Sequence, residues 1–101
     1  MKVDSISEIR IDDDGRLLVV PQTARFPFIY REAMEVAWDK SHLALCSPVP
    51  KKWDYARWFR QICDAAEAQG TALEIDASTR WTNVPEAALK EFTNVDGGGA
   101  A

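Results

Sequence analysis

The chain has 101 residues, 47% of them hydrophobic and 28% charged, which supplies one core and excludes wholesale disorder. Sixteen acidic against twelve basic residues leave a formal charge of -4, a balance that repels phosphate backbones at long range and argues against nucleic acid as a partner. No run approaches membrane-spanning length and the segment from Met1 to Ser5 lacks a signal-peptide core, so a cytoplasmic protein with no membrane partner is expected.

Ile9 and Ile11 alternate with Glu8 and Arg10, Asp12-Asp13-Asp14-Gly15 interrupts, and Leu17 to Val20 resumes, which predicts a β-hairpin closed by Pro21. Its register is open. A two-residue turn pairs Ile11 with Leu18, whereas a three-residue loop with a glycine bulge pairs Ile11 with Leu17. The acidic run lacks the interleaved ligand positions of an EF-hand and reads as a solvated turn rather than a calcium site. Four consecutive apolar residues, Leu17 to Val20, require two side chains to point away from the face that Ile9 and Ile11 cover.

Residues 22–31 form an irregular link carrying Phe26, Phe28, Ile29 and Tyr30 around Pro27, too aromatic to hang free. A second hairpin follows: Val36 and Trp38 alternate, Asp39-Lys40-Ser41-His42 turns, and Leu43 and Leu45 alternate again before Ser47-Pro48-Val49-Pro50 stops the strand.

The segment "KKWDYARWFRQICDAAEAQG" mixes aromatic and basic residues and admits two readings, a stacking platform for nucleic acid or the buried face of a helix. Tyr55, Trp58, Phe59, Ile62 and Ala66 fall on one helical stripe, with Arg57, Arg60 and Glu67 opposite, which favours the helix. Asp54 is the expected N-cap, Trp53 and Trp58 the hydrophobic staple, and Gly70 the left-handed terminator. Trp53 is then the ring left partly exposed. The stripe is expected to pack Trp58, Phe59 and Ile62 against Leu43, Leu45, Leu73 and Ile75. Residues 71–77 alternate as a fifth strand, and Asn83, Pro85 and Glu86 resemble a capping box opening a short helix through Phe92. The expectation is one α+β domain over residues 1–92, a largely antiparallel sheet of about five strands with one long helix across a face and a short C-terminal helix, and a disordered tail over 93–101.

His42 is the only histidine, and if it begins a strand it stands about 13 Å along the chain from Cys46, too far to activate that thiol. Cys46 and Cys63 read as buried thiols. With no phosphate-binding loop, no metal-ligand spacing and no nucleophile beside a base, neither a catalytic residue nor a cofactor is expected, and the chain reads as a non-enzyme. Tyr30-Arg31 and Arg80-Trp81 set an aromatic beside a guanidinium, a pairing enriched at interfaces, although edge packing of the sheet explains such pairs as well.

The layout "IRIDDDGRL", "FPFIYREAMEVAWD" and "LCSPVPKKWDYARWF" resembles that of small uncharacterised bacterial proteins encoded in integron gene cassettes. The resemblance covers nearly the whole chain and implies a compact α+β domain, often homo-oligomeric, with no functional residues to carry over. The acidic charge also fits a protein resembling bacterial immunity proteins, which block a toxin by binding it. The functional expectation is a self-associating protein-interaction module, a homodimer first, with Leu17, Val19, Phe28, Tyr30, Arg31, Trp53, Arg80 and Trp81 as interface or ligand-binding candidates. The competing expectation is a small-ligand pocket, in an enzyme or a binding protein, lined by Phe26, Phe28, Trp38 and Trp81.

Overall fold

The computed structural model describes residues 2–97. Its chain runs β1 (Lys2–Ile11), β2 (Leu17–Pro21), a 3-10 turn (Ile29–Arg31), β3 (Ala37–Asp39), β4 (Ala44–Cys46), α1 (Tyr55–Ala68), β5 (Thr71–Glu74), β6 (Arg80–Thr82) and α2 (Glu86–Gly97). The fold is α+β, with a mixed sheet in the order β3-β4-β2-β1-β5 and with β6 also pairing β1. The β1–β2, β2–β4 and β3–β4 pairs are antiparallel, while β5 and β6 run parallel to β1. The parallel direction follows from α1, which carries the chain back along the sheet before β5 begins.

The first hairpin takes the three-residue loop, with Ile11 opposite Leu17. Gly15 sits at φ 90°, and the Asp12 carboxylate accepts from the Asp14 and Arg16 amides. This strand begins earlier than its alternation predicts. Between Ile6 and Glu8 the register shifts by one residue, a β-bulge at Ser7 that turns both Ile6 and Ile9 into the core although they are three positions apart.

The core lies between one sheet face and both helices. Ile9, Ile11, Leu17, Val19 and Leu45 meet Trp58, Phe59, Ile62, Ala65 and Ala66 of α1. Phe92 of α2 stacks on Phe59 at 5.0 Å between ring centroids, so the second helix joins the first on the same face. Asp54 caps α1 by accepting from the Arg57 amide, Trp53 and Trp58 staple its entry at 4.7 Å, and Gly70 follows at φ 98°. On the opposite face Leu18, Ala44 and Cys46 are buried in a small cluster with Val20.

Several expectations need correction. Leu43 is exposed at φ 51°, in the turn rather than the core, because the Asp39 side chain accepts from the Ser41 and His42 amides and lengthens the loop. Ile75 is only half-buried, just past the end of β5. Asn83 does not cap α2: at φ 57° it turns its amide to the Ile11 carbonyl at 3.0 Å, and the first helical bond runs from the Leu89 amide to the Pro85 carbonyl. A sixth strand, Arg80–Thr82, was not expected, and residues 93–97 of the expected tail are helical, whereas 98–101 lie outside the described residues.

Candidate functional site

The link after β2 docks through its backbone. The Gln22 amide donates to the Ser5 carbonyl, and the Asp4 carboxylate accepts from the Thr23 amide and hydroxyl and from the Ala24 amide, all within 3.0 Å. Burial pushes the Asp4 carboxyl up, but the hydrogen bonds from Ala24, Thr23 and Gln22 together outweigh it and hold the group below its ordinary value. Phe26 and Ile29 then drop into the core, Phe26 edge-on to Trp38 at 6.0 Å. The 3-10 turn fixes what remains outside. Phe28 and Tyr30 are 50% and 54% exposed with rings 6.4 Å apart, the Arg31 guanidinium lies 4.8 Å over the Phe28 ring, and Met34 is 93% exposed. Sequence reasoning found this segment but not Met34, which no pattern marks as outward.

A second surface forms where the proline-rich loop meets α1. Pro48, Val49, Lys51, Lys52, Trp53, Trp58 and Glu35 line a cleft of about 510 Å³. Trp53 is half-buried, with the Arg57 guanidinium 4.6 Å from its ring centre. Trp58 is 6% exposed, and its Nε1 is buried with no hydrogen-bond partner among the described residues. An unpartnered buried N–H costs roughly 1–3 kcal/mol. The sequence placed Trp53 and Trp58 together as a staple, but nothing in it reveals the orphaned N–H, which depends on the surroundings of one atom.

The other candidates are dispersed. Leu17 and Val19 are fully buried under α1, so neither offers an interface; the outward pair of that run is Leu18 and Val20, in their own small cluster. Arg80 is exposed on β6, while the half-buried Trp81 stacks on Phe92 at 6.1 Å. Phe26, Phe28, Trp38 and Trp81 are therefore not gathered together, because Phe26 and Trp38 meet near β3 at one edge of the sheet while Trp81 lies on β6 at the opposite edge. A larger polar cleft of about 780 Å³ between Lys2, Arg25 and Gly70 also includes Asp4, whose carboxylate is already engaged by Thr23 and Ala24.

His42 pairs with Asp39 at 2.9 Å in the exposed turn, and that bond lowers the Asp39 carboxyl. Cys46 and Cys63 are not bridged, and burial raises the Cys46 thiol. Among the described residues no group of three or more His, Cys, Asp or Glu side chains is arranged to hold a metal ion, and no helix is long and apolar enough to cross a membrane.

Comparison with known proteins matches the core of the chain to one family. The model of the integron cassette protein family Hfx_Cass5 matches residues 4–79. The solved integron cassette protein Hfx_Cass5 from the mobile metagenome of the North West Arm sewage outfall is 46% identical, aligned over 100% of this chain and 99% of its own, with a TM-score of 0.49. No curated protein matches. The matched span runs from the first strand through the helix to Thr79, and on that match and the full-length identity the chain belongs to the Hfx_Cass5 family of integron cassette proteins.

Proposed function

We propose that this chain acts by protein association rather than catalysis, in the cytoplasm, and that its first partner is a second copy of itself. One observation carries the reading: Phe28, Tyr30 and Met34 project from a segment whose backbone is held by its own hydrogen bonds, with Arg31 stacked among them. Aromatic rings, methionine and arginine are the side chains enriched at interfaces, and anchors already fixed in place lose little freedom on binding. A two-fold dimer is the commonest closed arrangement for such a surface. Against catalysis stands the isolation of the reactive groups, since His42 is engaged by Asp39 and burial raises the Cys46 thiol above its ordinary value.

Light scattering at micromolar concentration tests the reading. The mass of two chains is expected for the native protein, and of one chain for the double variant Tyr30→Asp, Met34→Asp. A native mass of one chain that persists on concentrating overturns self-association and leaves the patch to a foreign protein.

A further inference from the structure

We propose that the cleft between the proline-rich loop and the start of α1 binds a flat hydrophobic carboxylate. Three features converge on that class. The walls are apolar and aromatic, with the Trp53 and Trp58 indoles beside Pro48 and Val49, and the volume of about 510 Å³ suits a small molecule. Lys51 and Lys52 line the same cleft against the single carboxylate of Glu35, so the local charge favours an anion although the whole chain carries -4. Over the short distance from lysine to ligand the local pair outweighs charges a Debye length or more away, about 8–10 Å in ordinary salt.

The third feature is the orphaned donor. Trp58 Nε1 has no partner among the described residues and seeks an acceptor, which a carboxylate oxygen supplies and a hydrocarbon or a cation does not. Nε1 is covered, so a ligand reaches it only as the cleft side chains shift, and the half-buried Trp53 ring packs beside Trp58 at 4.7 Å between ring centroids. Phe28, Tyr30 and Met34 do not line the cleft, which borders their segment at Glu35.

The four tryptophans make the test direct, because each indole N–H gives its own resonance in a ¹H–¹⁵N spectrum of the full chain. Trp58→Phe assigns the Trp58 signal, and Trp81, which stands on β6 and does not line the cleft, serves as the internal control. The probes are naphthoate and its uncharged counterpart naphthamide. Naphthoate is expected to saturate with a Kd of about 1 mM or tighter, to move the Trp58 signal while sparing Trp81, and to bind about tenfold better than naphthamide. Lys51→Gln with Lys52→Gln removes that preference and leaves naphthamide binding unchanged. Trp53→Ala weakens both probes about tenfold. An unmoved Trp58 signal at saturating probe, equal affinity for the two probes, or a shift shared by all four indoles overturns the proposal. The lysine variant alters only exposed side chains, so the charge arm stands even if Trp53→Ala fails to fold.

Discussion

Trp58 shows how much one side chain can hold in opposition. Its ring anchors the start of α1 in the core, yet its N–H goes unmatched. Trp58→Ala is expected to cost about 3–5 kcal/mol in a denaturant series through the cavity it opens, whereas Trp58→Phe, which deletes the orphan together with part of the ring, costs less than half of that. Leu45 and Leu43 differ as sharply, because one is fully buried and the other sits exposed at positive φ. Leu45→Ala should lose about 2–5 kcal/mol, and Leu43→Asn should stay within about 0.5 kcal/mol, since asparagine tolerates the left-handed region. Sequence alternation gave both leucines the same inward face. What separates them is the side chain of Asp39, which spends its oxygens on the turn and displaces the start of the strand. The carboxylates also set the acid response. Asp4 and Asp39 lie below their ordinary value of 3.8, and hydrogen bonds from the Ser5 and Ser78 side chains bring Asp76 down to about 2. Groups depressed in the folded state stabilise it above the unfolded pKa and release that contribution as the pH falls through the folded one. Melting temperature is therefore expected to be flat from about pH 5 to 7 and to drop below about pH 4, with Asp76→Asn removing part of the drop.

Among the elements, those with a strong period and matched ends were legible. The helix from Tyr55 to Ala68 carried an apolar stripe, a cap, a staple and a terminator, and all four are in place. Both hairpins were legible from alternating strands on either side of a polar turn, Asp12 to Gly15 in the first and Asp39 to His42 in the second. Two strands were not. The first half of β1 was hidden because the bulge at Ser7 breaks the two-residue period that identifies a strand. Deleting Ser7 restores that period and leaves Ile6 and Ile9 two positions apart on one face, so a cooperative thermal melt is expected to survive the deletion, and its loss would show that β1 needs the bulge for its pairing. β6 was hidden because three residues are too few to show any period, and because its place is set from outside, by the Thr79 hydroxyl on the Ile6 carbonyl and by Asn83 on Ile11.

At the scale of the whole molecule, the sequence led to the α+β class and to the docked aromatic link, but the open sheet face it implied is differently finished. Both helices gather on one side, and the other side closes over Leu18, Ala44 and Cys46. Of the large hydrophobic side chains left exposed, Phe28, Tyr30 and Met34 are grouped in and just after the 3-10 turn, while Val3, Leu43 and Val49 stand apart in sequence. That location carries a prediction about association. A surface of rings and thioether holds its partner with little help from net charge, so the two-chain mass expected in light scattering should persist from about 0.05 to 0.5 M salt, whereas an assembly held by exposed ion pairs would weaken over that range.

β1 is the strand on which the sheet converges: it pairs with β2 immediately after it, and with β5 and β6 near the other end of the chain. On the ribosome this means that β1, made before every strand it pairs with, is the last of the flanked strands to be closed on both sides. Until Thr71 to Thr82 emerge, one margin of β1 presents unpaired amides and carbonyls, the condition under which nascent chains pair with one another. Closing that margin requires contacts between distant parts of the chain, a topology that folds slowly for its size. A fragment ending at Gly70 would keep the long helix, both hairpins and most of the core residues, and still lack the strands that finish its oldest one.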